Sequence, residues 1–383
     1  GLRAGLITNP TGIDSRGRSS IDRLRESEAV ELVKLFAPEH GLRATEAEGA
    51  HVEDGVDPAT GLPVISLYGS QKRAPSAADL EGLHVLLFDM QDIGARYYTY
   101  IYTMALAMQA AGDAGLPFIV LDRPNPIGGT LVQGNVLDPA FATFVGRYPI
   151  PMRHGMTPGE LARLFRDAFD VEVSLHVVPA IGWSREQGFD TTGLPWIAPS
   201  PNMPSLQSAL HYPGLCLFEG TALSVGRGTD HPFQQIGAPG LDGERLAQQV
   251  NRLQLPGVRF EAVRFTPQAP SDGKFDGIEL GGVRAVATDP GRYDPTRAGV
   301  ALLLAAREQQ AEAWEWVPSH FDRLAGTDDL RRAIEAWGGE GGDRPDLETA
   351  LNQATAEWPA QRREFERLRT PALLYGTSAA PGG

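Results

Sequence analysis

The sequence predicts a doubly wound parallel α/β domain followed by a smaller α+β domain. Three observations carry this: four apolar segments in the first third, helix-like intervals between them, and irregular Pro/Gly-rich sequence afterwards. At 383 residues the chain also exceeds the ~100–200 residues that one core usually serves.

The apolar segments are "LRAGLIT" (2–8), "VELVKLF" (30–36), "HVLLFDM" (84–90) and "PFIVLDR" (117–123). Their continuity is that of parallel strands covered on both faces. "SSIDRLRES" follows the first, and "YTYIYTMALAMQAAGDAG" precedes the fourth and ends at Gly112 and Gly115, as helices often do. In that helix Tyr100, Met104 and Met108 share a face and read as core. This alternation assigns residues 1–135 to the first domain and 136–383 to the second.

In the second, "TPGELARLFRDAF" is a helix with Thr157 as N-cap, Pro158 at its first position and Glu160 completing a capping box. Strand-like "VEVSLHVVPA" follows, then a stretch from Trp183 to Gly240 with few regular elements, as expected of binding loops. Beyond it come a helix in "LDGERLAQQVNRL", strands in "VRFEAVRFTP" and "GIELGGVRAVATD", and a helix opened by Asp294 and Pro295. After Thr327 two more helical patterns precede a terminal "TSAAPGG", which is expected to fray.

The composition is that of a loop-rich globular protein: 42% hydrophobic and 21% charged, with 44 Gly and 30 Pro. A formal charge of −14 repels a phosphate backbone and no basic run offsets it, so nucleic acid is not an expected partner. No stretch reaches the ~18 apolar residues of a membrane span. The chain opens at Gly1 rather than methionine. A removed leader, with a periplasmic or secreted location, is one expectation; a cytoplasmic location without a leader is the other. The lone Cys216, in "GLCLF", reads as a small packed hydrophobe.

Open parallel sheets bind ligands outside the carboxyl ends of their strands. The second strand delivers Glu39 and His40 in "APEHG", the third Asp89, Asp92 and Arg96, and the fourth Asp122, Arg123 and Asn125. Each residue has a bland reading as a helix cap, a loop ion pair or a backbone-bonded histidine. Together they mark a site, because clustered ionisable groups at a ligand-binding rim are a site signature.

No G-x-G-x-x-G or G-x-x-x-x-G-K-[ST] occurs, so a dinucleotide or nucleotide site is not supported. No G-x-S-x-G or H-E-x-x-H occurs either. His40, His51 and nearby acids match no ordinary metal-ligand spacing, and no metal or organic cofactor is expected. Carboxylate-based hydrolysis remains. A glycosidase needs a protonated acid beside the leaving oxygen, and a partly buried glutamate at a strand end suits that task. Glu39 is the candidate; the second group is another carboxylate or the substrate's own acetamido group. Tyr97, Tyr98, Trp183, Trp196 and Phe233 offer flat faces for sugar rings. Glu46, Glu48, Glu53 and Asp54 read as a solvated loop edging the cleft.

"FAPEHG", "DMQDIGARYYTYIYTM", "VLDRPNPIGG", "YPIPMRHGMTPGELA", "GLPWIAPSPNMP" and "LFEGTALSVGRGTDHPF" together resemble, in this order, the motifs of the exo-β-N-acetylmuramidase family. The resemblance runs from "GLITNPTG" to "PALLYG". It implies a Rossmann-like domain and an α+β domain with the site between them, and release of N-acetylmuramic acid from the non-reducing end of peptidoglycan fragments. It also implies Glu39 of "PEHG" as the catalytic residue; His40 beside it is expected to tune or orient it. The family's "FRG" after this motif is here "LRA", with Ala44 in place of glycine.

The lactyl carboxylate of such a substrate calls for a guanidinium, with Arg96, Arg123, Arg153 and Arg227 as candidates. Glu219 in "EGTALS", after apolar "GLCLF", is expected at a strand end facing Glu39 as a second catalytic carboxylate. His154 and Asn202 are further candidates for sugar contacts. The alternative is a protein that binds muropeptides or sugar acids without turnover; an oxidoreductase reading lacks its glycine fingerprint.

Overall fold

The computed structural model describes residues 1–69, 72–310, 312–337 and 345–377. Its first half is a seven-stranded sheet built from β1 (Leu2–Thr8), β2 (Val30–Ala37), β3 (Gly55–Val56), β4 (Pro63–Ser66), β5 (Val85–Asp89) and β6 (Phe118–Leu121), completed after a small ribbon of β7 (Gln133–Val136) and β8 (Pro151–Arg153) by β9 (Leu175–Val178). The strand order is β3-β4-β2-β1-β5-β6-β9. All pairings are parallel except β3 with β4.

Register explains why both faces are apolar. Leu6 pairs with Leu35 and Leu87, and these sit in one core; Ile7 pairs with Phe36 and Phe88, and these sit in the other. Successive side chains leave a strand on opposite faces, so a continuous apolar run fills two layers at once. Helices α1 (Ser20–Arg25), α2 (Ala77–Leu80), α3 (Tyr100–Asp113) and α4 (Pro158–Ala168) accompany the sheet. Tyr100, Met104 and Met108 are buried, and α3 is apolar nearly all round, as befits a helix inside the core. The expected capping box on α4 forms between Thr157 and Glu160.

The sheet does not stop at residue 135: β9 adds to its edge beside β6. Only every second residue of β9 is partly covered, so its alternation imitates a strand of a half-exposed antiparallel sheet. The sequence placed it in the second domain because the chain turns irregular after "DRPNPIGG" and strand-helix alternation stops there.

The second half contains α5 (Leu206–Leu215), β10 (Gln235–Ala238), α6 (Gly243–Asn251), β11 (Val258–Phe265), β12 (Leu280–Ala287) and α7 (Pro295–Gln309). The strands form an antiparallel sheet in the order β10-β12-β11. Four helices follow: α8 (Pro318–Ala325), α9 (Asp329–Trp337), α10 (Leu347–Ala354) and α11 (Trp358–Arg369). Three of these lie beyond Thr327, where two are expected. Residues 378–383 of the terminal "TSAAPGG" lie outside the described residues.

The halves share one core. Arg96, fully buried, donates to the carbonyls of Asn135, Ile150, Leu324 and Ala325, tying the end of β5's loop to the end of α8. Near the carboxyl terminus, Tyr375 donates to Asp122 at 2.6 Å.

Candidate active site

β2 runs through buried Leu35, Phe36 and Ala37 and delivers Glu39, only 7% exposed. His40 and Gly41 then take left-handed backbone, with φ of 68° and 76°. Glycine adopts this region freely and histidine does not, so the turn is held by tertiary contacts. The His40 Nδ1 lies 2.7 Å from the Glu46 carbonyl. A carbonyl only accepts, so Nδ1 carries the proton.

The loop returns over the carboxylate: Gly49 N–H donates to Glu39 Oε1 at 3.1 Å, and the Thr99 hydroxyl lies 2.6 Å from Oε2. A hydroxyl serves a carboxylate as donor and a carboxylic acid as acceptor, so Thr99 fits both protonation states of Glu39. Burial, and then the neighbouring Glu39, push the Tyr68 phenol upward and keep it a proton donor.

Glu39 lines a cavity of about 430 Å³ whose far wall comes from the second half: Glu219, Arg227, Phe233, Lys274, His320 and Arg323. Tyr97, Tyr98 and Asn202 also border it. Arg227 joins the two sides. It donates to Glu219 at 2.8 and 2.5 Å, pairs with Glu48 of the Glu39 loop at 3.1 Å, and lies 5.0 Å from the Phe233 ring centre. Burial works to raise the Glu219 carboxyl, but the Arg227 charge and hydrogen bonds outweigh it and hold it below the usual range. Lys274 donates to the carbonyls of Glu219, Thr221 and Leu223, and burial lowers its pKa. Asn202 bridges Glu48 and Ser271.

The expected strand-end position of Glu219 is corrected: it lies in a 3-10 turn, Cys216–Gly220, continuing from α5. Pro213 and Gly214 disguise α5 in the sequence. A Cβ on Gly214 would sit 1.8 Å from the Pro295 carbonyl, so the glycine is what lets α5 lie against α7. Cys216 is buried, with its thiol 3.4 Å from Glu219 Oε2.

Most other rim residues do not reach this cavity. Arg96 is engaged by four carbonyls, and Arg153 by Gln133 and the Ile127 carbonyl. Asn125 holds the Met156 carbonyl and the Ile127 N–H. Asp92 accepts from Gly94 N–H and faces His154 Nε2 at 3.4 Å, both side chains buried. These residues fix loops; the expectation that they contact a sugar is corrected, because their polar atoms are enclosed in the fold.

Asp89, Asp122 and Arg123, with Trp183 and Trp196, line a different crevice of about 790 Å³. It lies at the carboxyl ends of β1 and β5, where the chain's winding reverses. Arg123 pairs with Asp89 at 2.6 Å. Asp122 accepts from Thr157, Gly159, Tyr375 and its neighbour Arg123, while burial raises its pKa to about 6.

Sequence reasoning missed Tyr68, Thr99, Lys274, His320 and Arg323 on the cavity wall. Tyr68 follows β4, so the strand-end rule finds it once β4 is recognised; the α8 residues carry no local signal. Among the described residues no group of His, Cys, Asp or Glu is arranged to hold a metal, and no helix is long and apolar enough to cross a membrane.

Models of the two domains of exo-β-N-acetylmuramidase NamZ match residues 4–207 and 210–375. The peptidoglycan β-N-acetylmuramidase NamZ of Bacillus subtilis (strain 168) is 45% identical over 98% of this chain and 87% of its own length. Two crystal structures of DUF1343 family proteins from Bacteroides fragilis NCTC 9343 superpose with TM-scores of 0.86 and 0.75, at 35% and 30% identity. Each covers 98% of this chain, and 94% and 95% of its own, respectively. The division near residue 208 keeps β9 with the first sheet, as the fold does. The chain belongs to the exo-β-N-acetylmuramidase NamZ family.

Proposed function

We propose that this chain is an exo-acting β-N-acetylmuramidase that removes N-acetylmuramic acid from the non-reducing end of peptidoglycan fragments, with Glu39 as general acid/base. The observation that carries the assignment of Glu39 is its carboxyl, anchored by Gly49 and Thr99, on the wall of a cavity closed by the second domain.

The other glutamates there, Glu48 and Glu219, are both paired with Arg227, and Asp272 is exposed. Glu39 is therefore the buried cavity carboxyl that no cation pairs with among the described residues. Placed beside a glycosidic oxygen, it gives the leaving group its proton and then takes one from water. A volume of about 430 Å³ falls low in the ~300–1,000 Å³ range of small-ligand sites, in keeping with one sugar residue and exo action.

The test is release of N-acetylmuramic acid from a chromogenic β-N-acetylmuramide. Wild type turns it over and Glu39→Gln loses ~10²–10⁴-fold in kcat. A folded wild type that binds the glycan and leaves it intact, or a Glu39→Gln variant of full activity, overturns the assignment.

A further inference from the structure

Of the four arginines that the sequence offers for the lactyl carboxylate, Arg96, Arg123 and Arg153 are engaged outside this cavity and Arg227, on its wall, is paired with Glu48 and Glu219. The cavity wall does hold an uncommitted cation. Arg323 lies on α8, three residues after His320, so the two share one helix face. No carboxylate pairs with Arg323 among the described residues, although Arg227, on the same wall, pairs with two. Its charge nonetheless reaches across the cavity: it acts on the phenol of Tyr68, which also contacts Glu39.

The hydrogen-bond directions settle what His320 offers. Arg323 Nη2 lies 2.5 Å from His320 Nδ1. A guanidinium only donates, so Nδ1 is the acceptor and the proton of the neutral ring sits on Nε2. That Nε2 is buried and has no partner. Burial, followed by Arg323, lowers the His320 pKa, consistent with a neutral ring and a fixed N–H. The ring therefore serves Arg323 as an acceptor through Nδ1, which fixes the direction of the guanidinium.

Charge balance points the same way. Arg227 is taken up by Glu48 and Glu219, and Lys274 by three backbone carbonyls, so Arg323 is the cavity-wall cation with neither a carboxylate nor a carbonyl partner among the described residues. The helix that carries it is rigidly placed. Gly220 packs so closely on α8 that a Cβ there would lie 2.5 Å from the Phe321 backbone, and Arg96 grips the carbonyls of Leu324 and Ala325.

We infer that Arg323, oriented by the His320 Nδ1 acceptor, binds the lactyl carboxylate and is the specificity determinant separating N-acetylmuramic acid from N-acetylglucosamine. This rests on the proposed muramidase function. The two sugars differ only in the lactyl ether on C3. A guanidinium suits that carboxylate through paired charge-assisted hydrogen bonds, and a site built around a ligand group discriminates strongly against the analogue lacking it.

The experiment titrates N-acetylmuramic acid, its lactyl methyl ester and N-acetylglucosamine into wild type, Arg323→Ala, Arg323→Lys and His320→Ala by calorimetry, so the readout does not depend on turnover. Arg323→Ala should raise the Kd for N-acetylmuramic acid ~10–100-fold and leave the Kd for the ester and for N-acetylglucosamine unchanged. Arg323→Lys should recover part of the loss, and His320→Ala should weaken the acid ~3–10-fold. Arg323 is exposed, so the variants should fold, and melting curves check this. An Arg323→Ala protein that binds the acid as wild type does, or that loses all three ligands equally, overturns the inference. A wild type that binds the acid yet leaves a chromogenic β-N-acetylmuramide intact overturns the muramidase assignment and leaves the arginine result standing on its own.

Discussion

Two cavities open on the carboxyl rim of the parallel sheet, and the larger is not the one that holds Glu39. The crevice of about 790 Å³ occupies the switch point between β1 and β5, where doubly wound folds usually place a ligand. Its acids are already satisfied: Asp89 by Ser20 and Arg123, Asp122 by four donors. The cavity of about 430 Å³, one strand over at β2, holds Arg323 without a carboxylate partner among the described residues, and Glu39 with hydrogen bonds from Gly49 and Thr99 but no paired cation. Recognition needs unmet hydrogen-bonding capacity rather than volume, and here the second domain supplies it.

Substitutions can break or sharpen this contrast. The largest effect is expected at Glu39. Glu39→Gln should cost ~10²–10⁴-fold in kcat with the denaturation midpoint held, whereas Asp122→Asn should leave kcat of the folded enzyme near wild type. Equal losses of activity at both would erase the distinction.

Next is Arg227. Arg227→Ala leaves Glu48 and Glu219 facing each other without their cation, and removing one partner of a buried ion pair costs about 3–5 kcal/mol. Urea unfolding should show that loss, and the Arg227→Ala/Glu219→Gln double variant should recover part of it.

Asp122 gives the crevice a pH signature. Its folded pKa, about 6, lies above the ordinary aspartate value of 3.8, so between these values the folded state holds a proton that the unfolded state has released. Stability from this residue is therefore fully present below about pH 4 and lost as pH rises through about 6, by about 3 kcal/mol in all. Asp122→Asn should remove that component, so the difference in unfolding free energy between variant and wild type should shift by this amount across the window. A constant difference would show that burial does not raise this carboxyl.

The smallest effect is expected at Ala44, which adopts a φ of 54°. Ala44→Gly should raise stability by ~0.5–1 kcal/mol, because glycine takes left-handed backbone without the Cβ clash. It should leave kcat unchanged. A loss of stability would show that the loop's other contacts, not the backbone, favour alanine.

The legible parts of this molecule are those set by local sequence. Continuous apolar runs marked β1, β2, β5 and β6. Thr157, Pro158 and Glu160 marked the start of α4, and Asp294 with Pro295 that of α7. What stayed hidden depends on distant partners. α5 survives Pro213 and Gly214 because α7 packs on it, and three- or four-residue strands such as β7 and β8 have too little sequence to show a period.

The site divides the same way. Glu39 is visible because a strand end fixes where it points. The destination of a guanidinium is not: Arg96 meets the Leu324 carbonyl 228 positions away. The cation left free, Arg323, lies in "PSHFDRLA", which reads as an ordinary surface helix.

Glu48 and Gly49 are consecutive residues with different attachments. The side chain of Glu48 is held by Arg227 of the second domain, and the N–H of Gly49 holds the carboxyl of Glu39. A single peptide link thus joins a side-chain contact to one domain with a backbone contact to the Glu39 carboxyl of the other. The two halves cannot be exchanged between relatives as independent modules, since each sets the working geometry of its counterpart.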